Sequence, residues 1–370
     1  MQKNWICLGL MSGSSGDGVD ASIIKTNGIN HYEILKDKYF EYDSYIYNSI
    51  HNLKQKISKI EHLKSFDSEI KNLERKITIF HAEIIKSFDL SSETIVGFHG
   101  QTIYHNYEEK ISRQLGNGNL LKQLTNKKIV YDFRSNDILN GGQGAPLTPV
   151  FHHLISFQHN IKLPICFLNI GGISNITIIK DRNELSRLIS KDIGPGNCLI
   201  DSWVRKNSSK KFDQDGKLAS IGKKNEIIFE QALELYANRK NKDKLSFDTN
   251  DFDVSFVRGL NLEDGAATLT DFTASIISEE LTLCLADSRS KFKEILLCGG
   301  GRKNKILLEM IKKKLPNNIN LKLIDDYQIN GDFVESQAFA YLAARSIMNL
   351  PLSYPNTTGC KVPTKGGKQI

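Results

Sequence analysis

A Gly/Ser-rich turn with an acid at its far end lies near the N-terminus and reads Gly13-Ser14-Ser15-Gly16-Asp17-Gly18. Glycines let backbone N–H groups approach an anion closely, and the serine hydroxyls add further donors. Asp17 could hold a metal ion, or a water bound to it, against the same phosphates. No Gly-x-x-x-x-Gly-Lys-Ser/Thr motif occurs in the chain, which excludes a P-loop. A hairpin with a flexible turn is the structural alternative.

Two further polar clusters contain residues that could bind a sugar. His99 and Gln101 flank a single glycine, and Arg134 precedes the Gly-rich segment Gly141–Leu147, which contains Gln143. Arg134 can bind a carboxylate or phosphate with two parallel hydrogen bonds, and the glycines permit close backbone approach to a sugar. Two alternatives stay open at this point. The histidine could be a loop residue bonded to backbone, and Arg134 could form an internal ion pair with Asp137.

A carboxylate and a glycine triplet in the second half of the chain could also do chemistry. Asp192 precedes the rigid turn Gly194-Pro195-Gly196 and is well placed as a fixed general base. Helix capping is the alternative, but Asn197 is the better cap for the helix that follows. Gly299-Gly300-Gly301, followed by Asn304, offers a surface for adenine or ribose, unless it is only a structural turn.

Alternating and periodic apolar residues predict the elements that position these groups. Trp5–Leu10, Asp20–Thr26 and Glu33–Tyr39 read as an antiparallel meander because their connections are short. An apolar stripe from Ile70 to Phe88, at three- and four-residue steps, predicts one long helix. Ile95–His99 and Lys128–Asp132 read as short buried strands that end in polar residues at the edge of an α/β sheet.

A second cycle begins near Pro164 and repeats the hairpin pattern. The strands Ile165–Asn169 and Ile176–Lys180 flank a Gly-rich turn, as a duplicated nucleotide-binding fold would require. We predict surface excursions at Lys206–Lys224 and Asn238–Asp253. The remaining predicted elements are helices Glu226–Asn238, Ala266–Asp287, one from Asn304 and Val334–Met348, and strands Ile295–Leu297 and Leu321–Ile324.

Length and composition indicate a soluble globular protein that is long enough for two domains. The chain has 370 residues, of which 40% are hydrophobic and 25% charged. Its net charge of +7 reflects scattered lysines, which mildly favour anionic small substrates, and no nucleic-acid motif is present. Six dispersed cysteines without Cys-x-x-Cys spacing favour a reducing compartment. We expect no signal peptide and no membrane span, and therefore a cytoplasmic protein.

Read together, these blocks closely resemble the anhydro-N-acetylmuramic acid kinases of cell-wall recycling. The resemblance spans nearly the whole chain, in the family's order, and rests on Gly9–Gly13 through Asp20, His99–Thr102, Asp132–Arg134, Gly141–Leu147, Asn169–Asn175, Asp192–Asn197, Cys298–Gly301, Leu350-Pro351 and Thr358-Gly359. It implies an α/β, two-domain actin/hexokinase-like (ribonuclease H-like) fold, with duplicated mixed sheets flanked by helices around an interdomain cleft. The implied domains are 1–158, completed by a C-terminal helix in 333–370, and 159–332.

The resemblance also implies an activity. The family uses ATP to open the 1,6-anhydro ring of 1,6-anhydro-N-acetylmuramic acid with water and to phosphorylate O6. Asp192 matches the family's catalytic Asp, which takes a proton from the attacking water, and Asp17 is the candidate for Mg²⁺, through water. A homodimer is carried over from the family. The implied nucleotide ligands are Gly13, Ser14, Ser15, Gly16, Asp17, Gly18, Val19, Asp20, Gly171, Gly172, Asn175, Gly299, Gly300, Gly301 and Asn304. The candidate sugar ligands are His99, Gln101, Arg134, Gln143 and Glu335.

Two departures from the family pattern concern loops. The hairpin commonly reads Gly-Thr-Ser-Leu-Asp-Gly, so Gly16 replaces an apolar side chain and we expect a looser turn. A stretch that usually resembles Pro-Lys-Ser stands here as Lys244–Asp248, which leaves the contacts of that loop open.

A kinase for another amino sugar and a non-catalytic nucleotide switch are the rival functions. The presence of both Asp17 and Asp192 favours catalysis over the switch.

Overall fold

Helices flank two mixed β-sheets in a computed structural model that describes residues 3–182, 184–238, 245–286 and 292–370. Within these residues the strands are β1 (Trp5–Ser12), β2 (Gly18–Thr26), β3 (Tyr32–Glu41), β4 (Ile95–Asn106), β5 (Ile111–Leu115), β6 (Lys128–Tyr131), β7 (Ile165–Ile170), β8 (Ile173–Ile179), β9 (Ile189–Pro195), β10 (Glu294–Cys298), β11 (Asn320–Leu323) and β12 (Lys368–Gln369).

The α-helices of the same residues differ widely in length, from one turn to seven. They are α1 (Ser44–Lys56), α2 (Ile60–Ser65), α3 (Asp67–Lys86), α4 (Gly118–Thr125), α5 (Ser135–Leu139), α6 (Pro149–Gln158), α7 (Cys198–Asn207), α8 (Lys217–Ile221), α9 (Glu226–Ala237), α10 (Leu262–Ala286), α11 (Lys305–Lys314), α12 (Val334–Ile347) and α13 (Pro355–Thr358). None of the described helices is long and apolar enough to cross a membrane.

The chain packs as two compact units. The first comprises the described residues of Met1–Lys162, Asp181–Ser190 and Asp332–Ile370. The second comprises those of Leu163–Lys180 and Lys191–Gly331. Each unit contains its own buried apolar core, which lets each hold its own loops in place.

The first sheet has the order β12-β6-β4-β1-β2-β3, with β5 paired to β4. β1, β2 and β3 pair antiparallel because short turns join them. β4 lies parallel to both β1 and β6, after connections that contain helices. The core of this unit lies where α1 and α3 cover the sheet, with Ile50, Ile77 and Phe98 among its fully buried side chains.

The second sheet has the order β11-β10-β7-β8-β9, and it repeats the first. β7 and β8 form an antiparallel hairpin, and β10 lies parallel to both β7 and β11. The shared part of the first sheet is β3-β2-β1-β4-β6, and it corresponds strand by strand to β9-β8-β7-β10-β11 in the second sheet. This recurrence confirms the predicted α/β fold with duplicated mixed sheets flanked by helices, the arrangement of the actin/hexokinase-like class.

Two glycines let α12 lie directly on the first sheet. A Cβ built at Gly9 would stand 1.9 Å from the carbonyl oxygen of Ser336. One at Gly97 would stand 2.3 Å from the carbonyl oxygen of Phe339. No side chain can occupy either position without moving the helix, which explains glycines in the middle of β1 and β4.

The predicted elements are confirmed, with differences at their ends. The meander forms, and the stripe from Ile70 to Phe88 lies on α3 and is largely buried. The predicted turn 170–175 is wrong in extent, because β8 already begins at Ile173 and only Gly171 and Gly172 stay outside the strands. In the predicted excursion 238–253, Ser246 is buried, whereas residues 239–244 lie outside the described residues, as does the predicted helix end Asp287.

The first unit encloses histidines whose burial makes its stability depend on pH. Burial lowers the pKa of His81 to about 4 and that of His152 to about 3. The unfolded chain binds protons on these rings below a pKa of about 6.5, while the folded chain does not. Their contribution to stability is therefore complete above pH 6.5 and decreases as the pH falls toward the folded pKa.

Replacing His81 by Leu should flatten this dependence. The expected change for His81 alone is about 2 kcal/mol in the free energy of unfolding between pH 7.5 and 5. The measurement is urea unfolding of wild type and His81→Leu at both pH values. Equal pH slopes for the two proteins would show that the ring does not stay neutral in the fold.

Candidate active site

In the first unit, buried polar side chains hold the two ends of the Gly/Ser-rich turn. The hydroxyl oxygen of Ser12 lies 2.9 Å from the carbonyl oxygen of Gly18 and 2.6 Å from Oε1 of Gln101. It also accepts a hydrogen bond from the hydroxyl of Tyr42, at 3.1 Å. Nε2 of Gln101 donates to the carbonyl oxygen of Gly13 at 3.0 Å. Both ends of the turn are thus held by one network of buried polar groups.

The tip of the turn lies against α1. Gly16 has a φ of +63°, and a Cβ there would lie 2.9 Å from Cγ2 of Ile50. The left-handed backbone and the close contact both favour glycine at this position. Nζ of Lys54, on α1, donates to the carbonyl oxygen of Ser14 at 2.7 Å. Residues of α1 therefore contact the turn on one side. The looser turn that we expected from Gly16 stays a prediction.

The acids of this turn differ in their surroundings. Oδ1 of Asp17 accepts a hydrogen bond from Ser15 at 2.6 Å, and its carboxylate is half-buried. Asp20 lies within β2, beside Tyr39 of β3. Val19, between them, is fully buried and packs in the core. Among the predicted nucleotide ligands, Val19 can therefore contribute only its backbone.

Gln101 is completely buried, and its bonds assign it a positioning role. We expect Gln101→Leu to raise KM for ATP about tenfold, because the carbonyl of Gly13 loses its donor and the turn loses a fixed conformation. The control is Gln114→Leu, on neighbouring β5, where the amide donates to the hydroxyls of Thr102 and Ser112. Steady-state kinetics with either substrate varied are the measurement. An increase confined to KM for the sugar would contradict this role and support direct contact with substrate.

His99 and Arg134 form a fixed pair in the first unit. Nδ1 of His99 bonds the carbonyl oxygen of Gly100 at 2.7 Å, which leaves Nε2 as an acceptor. Nε and Nη2 of Arg134 lie 3.2 and 2.9 Å from that Nε2, and Nη1 donates to the carbonyl oxygen of Gly144 at 2.8 Å. Burial, reinforced by the Arg134 charge, holds the pKa of His99 well below its usual range. A neutral imidazole therefore orients the guanidinium.

Asp137 connects the loop after Arg134 to the C-terminal segment. Its Oδ2 accepts from the backbone N–H of Gly144 at 2.7 Å. Its Oδ1 accepts from the hydroxyls of Ser353 and of Thr358, the latter at 2.7 Å. Gln143 joins the same arrangement, since its N–H donates to the carbonyl oxygen of Thr358 at 2.7 Å. One fully buried carboxylate thus holds the loop that carries Gln143 and the carbonyl bound by the guanidinium.

Glu335 lies in the first turn of α12 and is half-buried. The next residue, Ser336, is fully buried, and its hydroxyl lies 2.6 Å from that of Ser22 on β2. Gln337 donates to Oδ2 of Asp37 at 3.0 Å. Burial raises the pKa of Asp37. The start of α12 is therefore tied to the sheet, which fixes the backbone that carries Glu335.

In the second unit, the hairpin turn is bonded to the turn that follows β9. The N–H groups of Gly196 and Asn197 donate to the carbonyl oxygens of Gly172 and Gly171, at 2.9 and 2.8 Å. A Cβ at Gly196 would lie 2.3 Å from the Gly171 oxygen, so the contact requires glycine. Asn197 occupies the predicted N-cap position of α7 but makes no side-chain capping bond there. These bonds hold the turn after β9 in a fixed position relative to the β7–β8 hairpin.

Asp192 lies on β9 and is 7% exposed. Its Oδ2 accepts a hydrogen bond from the backbone N–H of Phe247 at 2.8 Å, and its own N–H donates to the carbonyl oxygen of Leu245 at 2.8 Å. The segment of chain whose contacts the sequence left open therefore lies against the predicted general base. Lys244, at the start of that segment, lies outside the described residues.

The glycine triplet also lies in the second unit, close to the end of β7. Gly299 has a φ of +77°, and a Cβ there would lie 2.4 Å from Oδ1 of Asn169. Apart from its two chain neighbours, no heavy atom of the described residues lies within 4 Å of a Cβ built at Gly300, so a ligand has room there. Asn304 caps α11, its Oδ1 accepting from the N–H of Leu307 at 3.0 Å. This capping bond gives Asn304 a structural role, while contact with adenosine stays a prediction.

An unsatisfied acceptor marks the second hairpin. Oδ1 of Asn175 is buried and has no hydrogen-bond partner among the described residues. Asn175 pairs with Asn169 across β7 and β8, next to Gly171 and Gly172. A buried acceptor without a donor costs about 1–3 kcal/mol. Its position is consistent with a bound group that supplies the donor.

The residues at the first turn fit a magnesium ion that is bound mainly by phosphate groups and water. Among the described residues no group of three or more His, Cys, Asp or Glu side chains could hold a metal. Mg²⁺ characteristically binds one or two carboxylates, waters and substrate phosphates rather than a protein cage. The half-buried carboxylate of Asp17 supplies such an oxygen ligand.

Several of these contacts were not foreseen from the sequence. Lys54 is one of many lysines in a helical stretch, and nothing in its spacing singles it out. The sequence indicates Asp137 only as a partner for Arg134, whereas in the structure its carboxylate binds Gly144, Ser353 and Thr358. The block Thr358-Gly359, which carries part of the family resemblance, is the sequence signal that could have indicated its role.

Comparison with known proteins identifies relatives across the whole chain. A family model described as anhydro-N-acetylmuramic acid kinase matches residues 5–369. A protein of that name from Pelagibacter ubique (strain HTCC1062) is 54% identical over 99% of this chain and 98% of its own length. Another from Agrobacterium fabrum (strain C58 / ATCC 33970) is 35% identical, covering 97% of each chain. The chain therefore belongs to the anhydro-N-acetylmuramic acid kinase family.

Proposed function

We propose that this kinase opens the anhydro ring of 1,6-anhydro-N-acetylmuramic acid with water and phosphorylates the released O6 with ATP. The products are N-acetylmuramic acid 6-phosphate and ADP. Membership of the family supports the activity. The observation that carries the ring-opening step is the buried carboxylate of Asp192, which the backbone holds in a fixed orientation.

In this mechanism Asp192 takes a proton from the attacking water. The water oxygen bonds to the anomeric carbon as the bond from that carbon to O6 breaks. O6 then bonds to the γ-phosphorus of ATP, and the bond to the ADP oxygen breaks. Since O6 leaves the sugar carbon with an electron pair, phosphoryl transfer needs positioning and charge neutralisation more than a base.

We propose that the nucleotide ligands lie in the glycine-rich segments that the sequence predicts. In the first unit these are Gly13–Asp20, with Asp17 binding Mg²⁺ through water, and the ion would neutralise phosphate charge. In the second unit, Gly171, Gly172 and Asn175 form the hairpin, and Gly299–Gly301 with Asn304 take the adenosine end. The ordered first turn and the open space at Gly300 support this assignment.

For the sugar we propose direct contact by Arg134, Gln143 and Glu335. The guanidinium is suited to an anionic group, because a neutral His99 fixes its plane. His99 and Gln101 keep a place in the proposal, with their observed bonds favouring a supporting role.

We further propose that the two compact units are the two domains of the enzyme, predicted as 1–158 with 333–370 and as 159–332. The proposed setting is peptidoglycan recycling in the cytoplasm, by a homodimer. Neither a nucleic acid nor a membrane has a part in it. The dispersed reduced cysteines, four of them buried, support a reducing compartment.

A substrate panel tests the proposal against its rivals. Purified protein with ATP and Mg²⁺ is supplied in turn with the 1,6-anhydro sugar, free N-acetylmuramic acid and N-acetylglucosamine. We expect phosphorylated product from the anhydro sugar at a rate at least a hundred times that from the others. Preferential phosphorylation of a free amino sugar would support the alternative kinase, and nucleotide binding without any product would support a non-catalytic switch.

A further inference from the structure

We propose that Phe247 is a positioning residue for the general base, and that its ring anchors the segment Leu245–Phe247 against Asp192. This inference rests on the proposed role of Asp192 in ring opening. It assigns a function to a loop whose sequence alone did not indicate one.

The first observation is the pair of backbone bonds to Asp192. The N–H of Phe247 donates to the carboxylate at 2.8 Å, and the carbonyl oxygen of Leu245 accepts from the N–H of Asp192 at 2.8 Å. These bonds hold both the main chain and the carboxylate of Asp192. A carboxylate oriented in this way cannot rotate freely about its side-chain bonds. Since a general base must lie within hydrogen-bond reach of its proton, the segment sets the geometry of the reaction.

The second observation is what holds the segment itself. Phe247 is 9% exposed, and its ring packs against Phe252 with centroids 5.4 Å apart. Phe252 in turn stacks on Tyr236, at 6.3 Å. Ser246, between the two bonded residues, is also buried. The segment is therefore anchored by aromatic packing, although most of it is neither helix nor strand.

The same aromatic group also reaches β9 directly. A Cβ at Gly194 would lie 3.1 Å from the hydroxyl oxygen of Tyr236 and 2.6 Å from Cγ2 of Ile276. The strand that carries Asp192 is thus supported two residues later by Tyr236, which belongs to the stack that anchors Phe247. Truncating Phe247 removes one of these two supports and leaves the strand in place. The expected consequence is a less well oriented carboxylate in a folded protein.

The test is a double-mutant cycle between Phe247→Ala and Asp192→Asn. We expect Phe247→Ala to lower kcat about tenfold with KM for ATP within twofold of wild type. Phe247→Leu, which keeps an apolar anchor, should restore kcat to within threefold. In the Asp192→Asn background, Phe247→Ala should have no further effect on kcat, measured in single turnovers, because the group through which it acts is already gone.

A matched control separates positioning from stability. Phe256→Ala truncates a ring that contacts Phe272, at 5.1 Å, in the same core, and it should lower stability without changing kcat. If Phe247→Ala does not fold, Phe247→Val takes its place, with a smaller expected loss of kcat.

Two results would overturn the inference. Either a wild-type kcat in the Phe247 variant, or an equal loss of kcat in both backgrounds, would show that the segment does not act through Asp192. Near-full activity of Asp192→Asn alone would instead contradict the proposed base, which distinguishes failure of the proposed function from failure of this inference.

Discussion

Asp192→Asn is expected to lower kcat about 1,000-fold while leaving ATP affinity within twofold of wild type. General-base catalysis typically contributes about 10²–10⁴-fold to a rate. The amide keeps an oxygen that can accept the hydrogen bond from Phe247, so the local geometry is retained while the proton acceptor is lost. Turnover of the anhydro sugar and calorimetric titration with a non-hydrolysable ATP analogue are the measurements.

Asp215→Asn is the matched control for this variant. Asp215 also lies in the second unit, is partly exposed, and has a φ of +58°, which asparagine tolerates well. We expect kcat to stay at the wild-type value. If Asp192→Asn kept more than a tenth of wild-type activity, another group would have to be the base.

Asp137→Ala is expected to lower the free energy of unfolding by about 3–5 kcal/mol and kcat/KM for the sugar about 100-fold. Removing one member of a buried charged network commonly costs about this much. The N–H of Gly144 loses its acceptor, and the loop that holds Gln143 loses its connection to the C-terminal segment. KM for ATP should change by less than threefold. Denaturant unfolding and steady-state kinetics measure the two effects.

Two variants show whether the effect is specific to this network. Asp137→Asn keeps the shape and one acceptor oxygen, so we expect a loss of about 1–2 kcal/mol. Asp67→Ala removes an exposed carboxylate paired with Lys71 on α3, and should cost less than about 1 kcal/mol. An Asp137→Ala protein as stable as Asp67→Ala, with unchanged kinetics for the sugar, would rule out the proposed role of the network.

Local patterns were sufficient to predict many elements of the fold, but not β5, α6 or β9, the strand that carries Asp192. The meander, the stripe on α3 and the repeated hairpin depend on periodicity and turn chemistry, which are properties of neighbouring residues. The start of β8 was harder to predict, because Ile173 and Asn175 read as part of a Gly-rich turn. In the structure both belong to β8, which pairs with β7. Pairing across strands overrode the local preference there.

The contacts that order the candidate site depend on residues far apart in the chain, and no local pattern contains them. Gln101 bonds a turn nearly 90 residues away, and Asp137 bonds Thr358 over more than 200 residues. The sequence predicts His99 as a sugar ligand, and only the fold shows that Arg134 lies against its ring. Residue type therefore indicated which side chains could do chemistry, while the partners that orient them required the structure.

The most direct test of the central claim is the stoichiometry of products from the 1,6-anhydro sugar. ADP, phosphorylated sugar and new reducing ends are measured over one time course with ATP and Mg²⁺. We predict that the three appear together in a ratio of 1:1:1, because the bond that water opens is the one that releases O6 for phosphorylation. Phosphorylated sugar without reducing ends, or ADP without phosphorylated sugar, would contradict the coupling of ring opening to phosphoryl transfer.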